Sequence, residues 1–331
     1  MIKKVKIEEA VGMVLGHDVV RVVPGGPKLI PFERGHIVRE EDIPHFLDIG
    51  KEHIYVVETE ENDVHENEAA LRIAQAVTGE GFDFETPSNG AVRIKPRYLG
   101  LLLVNVPLLN EVNAIGGFAI GTRYSFTVGK PENPAAVAKT MPLYLPESKL
   151  AELETMCRSR GRVLELKPFV LKRVGVVITG NEVFKGRIKD RFAETIARKV
   201  EPFGASISHT TKVPDDAAAI AGAIREMHEA ECEVIFACSG MSVDPDDVTM
   251  DGIRESGAEV VIEGVPMMPG AILGLGMLKG IPVVGTPAGA LRVAPTALDG
   301  LLPMIFAGVR PTATDIITLG HGGLCLDKYA F

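Results

Sequence analysis

The chain is short of the residues and runs that would place it quickly. Its four cysteines, Cys157, Cys232, Cys238 and Cys325, are scattered with no C-x-x-C pair, so neither a zinc site nor a disulfide framework is indicated. The eight histidines show no ligand-like spacing either. Positive charge is in deficit: Lys plus Arg total 35 against 44 Asp plus Glu, a net charge of −9. That is the wrong sign for a protein held on nucleic acid or anionic lipid by bulk charge. Long apolar runs are missing too. The most tempting, residues 265–278, is broken by Pro266, Pro269, Gly270, Gly274 and Gly276 and falls short of the roughly 20 residues a membrane span needs; it reads as buried loop and strand. The N-terminus, MIKKVKIEEAVGMVLGHDVV, has no continuous signal-peptide core, and a cytoplasmic protein is expected. No G-x-x-x-x-G-K-S/T loop, no G-x-G-x-x-G after a strand and no Ser/His/Asp order is found.

What is there is a foldable chain. Its 331 residues, 46% hydrophobic with 35 Gly and 22 Pro, suffice for two or three domains that each bury a core. The character changes near residue 170. Beyond it, short apolar runs (173–179, 205–213, 233–238, 259–265 and 281–285) alternate with helical patterns. Asp190 can cap a helix carrying Phe192, Ile196 and Val200; Asp215 or Asp216 can cap one carrying Ile220, Ile224 and Met227; further helices are expected at 247–256 and 295–306. Alternating strands and helices predict an α/β domain with a parallel sheet and helices on both faces. The first half is mixed, with helices predicted at 41–48, 66–77 and 146–160, a strand at 53–57, a β-rich stretch over 90–128 and a linker over 129–142. The expected division is 1–60, 61–145, a connecting helix and linker over 146–170, the α/β domain over 171–308 and a tail over 309–331.

Ligands of an open parallel sheet bind outside the C-terminal strand ends, where helix N-termini point outward. Three loops qualify: Thr179-Gly180-Asn181, Ser239-Gly240-Met241-Ser242 and Gly285-Thr286-Pro287-Ala288-Gly289. Their backbone N–H groups suit a phosphate, carboxylate or oxyanion, although each glycine alone is explained by a strand-to-helix turn. The run Asp244-Pro245-Asp246-Asp247 directly follows the second loop. It offers the hard oxygen ligands that Mg²⁺ takes; the alternative is that Asp246 or Asp247 caps the next helix. Glu182 is a further candidate carboxylate or a solvated turn residue. Lys185, Arg187, Lys189 and Arg191 form either a wet face or an attractor for an anionic ligand, and Lys279 and Arg292 are further cations assigned to the third loop. For Asp215 and Asp216, capping is the default role.

The succession ITGNEV–KGRIKD, VPDD, ACSGMSVDPDDVT, VPMMPG and VVGTPAG resembles the molybdopterin-binding domain shared by molybdopterin molybdenumtransferases (the MoeA and gephyrin class) and their adenylyltransferase relatives. In the first half, FERGHIVREEDIPHFLDIGKEHIYVVE is similar to a segment of the transferase class. The resemblance implies a three-layer αβα domain with a mostly parallel sheet, preceded by a mixed, β-rich N-terminal region. The family's T-G-D-E motif falls on Thr179, Gly180, Asn181 and Glu182, with Asn181 where Asp is usual, and its mid-domain acid falls on Asp215 or Asp216. Its G-G-V-S-V-G-x-x-D motif falls on Ser239 to Asp244 and Asp247. Its P-G-K-P falls on Pro269, Gly270, Ala271 and Ile272, so the lysine is absent, and its L-P-G-N-P-x-S is reduced to Thr286-Pro287-Ala288-Gly289-Ala290.

What this implies is an enzyme of molybdenum cofactor biosynthesis that inserts molybdate into adenylated molybdopterin with release of AMP. Asp247, Glu182 and Asp246 would hold Mg²⁺, the first two being catalytic. Molybdopterin would be the ligand or substrate, held by Thr179, Gly180, Asn181, Asp216, Ser239, Gly240, Met241, Ser242, Pro269, Gly270, Gly285, Thr286 and Pro287. The partner is thus a small anionic pterin or nucleotide, with no nucleic acid and no membrane, and the transferase class suggests a homodimer. Loss of the lysine, whose charge-assisted contact to an oxyanion would be worth a few kcal/mol in a dry site, favours a non-catalytic carrier or sensor. A third possibility is a Mg²⁺-dependent nucleotide pyrophosphatase: Asp246-Asp247-Val248-Thr249 and Val284-Gly285-Thr286 resemble loops of the competence-damage-inducible protein family, which lacks the first half at its N-terminus.

Overall fold

The computed structural model describes residues 2–21, 29–57, 62–185, 187, 191–239, 241, 247–291 and 295–329, and of Glu182, Ser239, Ala290 and Leu291 it describes the backbone. The chain divides into two compact units that are discontinuous in sequence: residues 96–103 and 124–131 cluster with 166–331, and the remainder forms the other unit. Among the described residues no helix is long and apolar enough to cross a membrane.

The first unit begins with a small antiparallel sheet of Ile2–Lys6, His53–Val57 and Val14–Leu15. Its core holds Ile7, Leu15, Phe46, Ile54 and Val56, and Phe32 stacks on Phe46 with ring centroids 4.1 Å apart. The predicted helices over 41–48, 66–77 and 146–160 are present as Ile43–Asp48, Glu66–Val77 and Glu147–Arg160. Residues 129–142 are not a linker. They contain the strand Ala136–Thr140, an inner strand of a four-stranded sheet, and its small residues Ala136, Ala138 and Thr140 alternate into the interior. A helix, Val106–Ala114, also interrupts the stretch expected to be β-rich; Asn105 caps it by accepting a hydrogen bond from Leu108 N at 3.1 Å, and Pro107 sits in its first turn.

The second unit is built on a six-stranded sheet. Its elements are β1 (Arg173–Thr179), α1 (Phe192–Val200), β2 (Ser206–Val213), α2 (Ala217–Glu229), β3 (Val234–Ser239), α3 (Thr249–Glu255), β4 (Glu259–Glu263), β5 (Gly274–Leu278), β6 (Ile281–Pro287) and α4 (Ala297–Phe306). The strand order is β2-β1-β3-β6-β5-β4, with the first four parallel. Strand alternation feeds a core on each face. Val174, Val176, Ile178, Phe236 and Val284 meet α1 and α4 on one side, while Val177, Ile235, Ala237 and Val283 meet α2 and α3 on the other. This is the expected three-layer αβα domain with a mostly parallel sheet. The antiparallel pair β5–β6 follows from its connection, a two-residue turn at Lys279-Gly280 with φ of 48° and 90°; such a hairpin can join only antiparallel neighbours.

Candidate functional site

Three strand ends lie side by side. Ile178 of β1 pairs with Cys238 of β3, Cys238 pairs with Thr286 of β6, and Ser239 pairs with Pro287. Neighbouring strands stand ~4.8 Å apart, so the loops leaving β1, β3 and β6 start within about 10 Å of one another. Thr179 closes β1 with only 2% of its surface exposed, and its hydroxyl is buried with no hydrogen-bond partner among the described residues. Buried polar atoms are nearly always paired, so this hydroxyl at the mouth of the first loop is set for a ligand atom or a water. Gly180 follows with φ 130°, ψ 116° and caps the single helical turn Asn181–Phe184.

The two aspartates that open α2 have separate roles. Asp216 is the helix cap, accepting from Ala219 N at 2.8 Å. Asp215 reaches the first loop and accepts from Asn181 N at 2.9 Å. Of the two, Asp215 is the one bonded to the first loop, while Asp216, expected to bind the ligand, is engaged as the cap of α2.

The third strand end is set by close packing. Thr286 is wholly buried and its hydroxyl donates to Val284 O at 3.3 Å. A Cβ on Gly285 would lie 3.0 Å from the sulfurs of both Met241 and Met250, so glycine here lets two methionines pack against the strand. Met241, expected as a loop contact, is therefore also a packing residue.

Asp247 lies on a cavity of about 410 Å³ shared with Met241, Arg254, Glu263, Ala271 and Ile272. Segments far apart in sequence, the second loop and the Pro269-to-Ile272 loop, thus converge on one concavity. The N-cap position of α3 falls on Val248, one residue beyond Asp247. Pro269 stands outside the cavity lining, with its carbonyl accepting from Ala297 N at 2.9 Å, and Gly270 turns the chain at φ 100°. Sequence reasoning missed Arg254, the cation of this cavity, which pairs with Asp251 at 2.9 Å and with Glu263. Nothing in its spacing separates it from an ordinary exposed helix residue.

Other expected residues lie elsewhere. Lys279 is in the β5–β6 turn, at the opposite end of β6 from Thr286 and Pro287, because the strand carries it away from the third loop. Lys185, Arg187 and Arg191 are exposed. The side chains of Glu182 and Ser239, and Gly240, Ser242, Asp244, Asp246, Lys189, Asp190 and Arg292, lie outside the described residues. Among the described residues no three His, Cys, Asp or Glu side chains gather closely enough to hold a metal ion, so of the expected Mg²⁺ ligands only Asp247 can be judged. Its carboxylate has the oxygen chemistry Mg²⁺ takes, in a cavity where Asp247, Asp251 and Glu263 outnumber Arg254.

Residues 175–307 match the family model described as "Probable molybdopterin binding domain", and residues 4–58 match one described as "Domain of unknown function". Residues 175–307 are therefore similar to the molybdopterin-binding domain that the first model describes. It is 35% identical over 95 residues to a CinA-like protein of Mycobacterium tuberculosis, covering 28% of this chain and 22% of that protein. To a CinA-like protein of Citrifermentans bemidjiense it is 34% identical over 89 residues, covering 27% and 21%. The chain thus spans about a fifth of the length of these curated relatives. Among solved structures it is similar to the molybdopterin biosynthesis MoeA protein from Pyrococcus horikosii, at 15% identity and a TM-score of 0.35 over 93% of this chain and 75% of that one. The tungsten cofactor synthesizing protein MoaB from Pyrococcus furiosus gives 16% identity and a TM-score of 0.34 over 41% and 93%.

Proposed function

We propose that the protein binds molybdopterin, or its adenylated form, at the C-terminal strand ends of the sheet and acts in molybdenum cofactor biosynthesis. The observation that carries this reading is the buried hydroxyl of Thr179, without a partner among the described residues, beside the adjoining ends of β3 and β6, within a segment that matches the molybdopterin-binding family. In this reading the first loop, with Asp215 fixing Asn181 N, and the loops after β3 and β6 hold the pterin and phosphates through backbone N–H groups. Asp247 faces the reacting phosphate from the neighbouring cavity. Mg²⁺, when bound, would neutralise phosphate charge, with Asp247, Glu182 and Asp246 as its ligands. The activity proposed is molybdate insertion with release of AMP, in a homodimer that light scattering would detect.

A second reading, a carrier or sensor without turnover, is favoured by Ala271 on the cavity wall, which has neither charge nor donor for an oxyanion. One assay separates the readings: the purified chain is incubated with adenylated molybdopterin, Mg²⁺ and molybdate, and AMP is followed. Molybdate-dependent AMP is expected for the transferase. Tight binding without AMP supports the carrier, and AMP released equally without molybdate supports pyrophosphate cleavage. Absence of binding in every arm rejects the proposal.

A further inference from the structure

At the other end of the same sheet is a second cavity, of about 420 Å³, where β1, β3 and β6 begin. Arg173, at the start of β1, lines it, and Thr179 closes the strand, so at ~3.3 Å per residue the strand sets the two residues about 20 Å apart. The wall is largely apolar, formed by Leu171, Ile281, Pro282, Ile305 and Val309, and its polar members are Arg173, His228, Glu231, Glu233 and Arg310.

Most of that charge is already committed. Arg173 pairs with Glu231 at 3.0 Å, and the Glu233 carboxylate accepts from the backbone N–H groups of Lys172 and Arg173 at 2.6 and 2.9 Å. Two groups are left over. Arg310 makes no ion pair among the described residues, and its guanidinium lies over the β5–β6 turn, where a Cβ on Gly280 would stand 2.7 Å from Nη2. His228 Nδ1 is buried with no hydrogen-bond partner among the described residues. A buried ring nitrogen without a partner is costly; His228 shares the cavity lining with Arg310 and the apolar residues.

We infer that this cavity is a binding site for a small organic anion, a carboxylate or phosphate ester on an apolar body, with its head on Arg310, a polar group at His228 Nδ1 and its body against Ile281, Pro282 and Val309. Such sites join an apolar enclosure to a few fixed polar groups, and an arginine fork suits either oxyanion. The inference is independent of the pterin reading, because none of its residues belongs to the C-terminal strand ends.

The test is calorimetric titration of the full chain with benzoate and with phenyl phosphate, using benzamide and inorganic phosphate as the neutral and body-less controls. One saturable site for at least one aromatic anion is expected, with both controls binding at least tenfold more weakly. Which anion binds more tightly separates a carboxylate ligand from a phosphate ester. Arg310 is exposed, so Arg310→Gln should keep the native melting temperature and weaken the anion about tenfold, while Arg310→Lys retains most of the affinity. His228→Phe should weaken binding as well. The inference is overturned by no saturation with either aromatic anion up to about 10 mM, weaker than the millimolar range of fragment binding, by benzamide binding as well as benzoate, or by affinity unchanged in Arg310→Gln.

Discussion

The Thr179 hydroxyl is buried without a partner among the described residues, a state that costs on the order of 1–3 kcal/mol unless something completes it. If its purpose is to meet a ligand, Thr179→Val should leave the melting temperature of the free protein unchanged or higher, since the orphaned atom is gone. The same change should weaken molybdopterin about tenfold, ~1.4 kcal/mol. Thermal melts with and without ligand read both effects, and a variant that loses stability while keeping affinity would show the hydroxyl to be structural. In the chain's first unit, His17 is held below the ordinary histidine range, chiefly by burial and slightly by Lys51, against the opposing pull of Asp18. Its folded state thus favours the neutral ring. The associated stability is complete above about pH 6.5, the unfolded value, and is lost as pH falls from there to the depressed folded pKa. The unit should melt at a lower temperature at about pH 5 than at about pH 7, and His17→Asn should flatten that dependence; a His17 resonance titrating at or above 6.5 would contradict it.

Elements are joined by a few decisive contacts. Lys199 near the end of α1 grips both Asp299 oxygens at 2.8 and 2.7 Å, and Asp299 completes the capping box of α4 by accepting from Thr296 N at 2.6 Å. The lysine side chain is only 9% exposed. Lys199→Ala should therefore cost about 3 kcal/mol, the low end for breaking a buried pair because Thr296 still holds the carboxylate. Denaturant unfolding checks it, and a loss below about 1 kcal/mol would place the pair with surface ion pairs. The same scale shows what the sequence revealed. Ile220, Ile224 and Met227 recur at helical spacing and are buried together, and the apolar runs of β1, β3 and β6 read directly as strands. Ala136–Thr140 did not, because its inward residues are small and Pro and Asn precede it. The β5 strand falls within residues 265–278, read as buried loop and strand, but its antiparallel pairing was hidden in that Gly-rich sequence.

For the whole molecule, a linear reading places boundaries along the chain, whereas the compact units exchange segments: residues 96–103 and 124–131 belong with the C-terminal one. No local signal announces that, since it depends on which strands pair across long separations. The adjacency of the three strand ends was legible, because parallel topology fixes which strand ends share an edge. The division of labour between Asp215 and Asp216, and the presence of Arg254 in the cavity of Asp247, were not; both depend on side-chain placement that adjacent or exposed charges do not encode. Asp247→Ala should leave the fold intact, as its side chain sits on a cavity wall, and should abolish any metal-dependent AMP release; unchanged turnover would remove Asp247 from the chemistry.

The most direct test of the account is equilibrium binding of molybdopterin to the purified full chain, followed by calorimetry for the wild type and for a Gly180→Val, Thr179→Val double variant at the first strand end. The account predicts saturable binding to the wild type and at least a hundredfold loss in a double variant that remains folded, with Arg310→Gln, at the opposite end of the sheet, binding as the wild type does. Absence of saturation in the wild type, or equal affinity in the double variant, would contradict it.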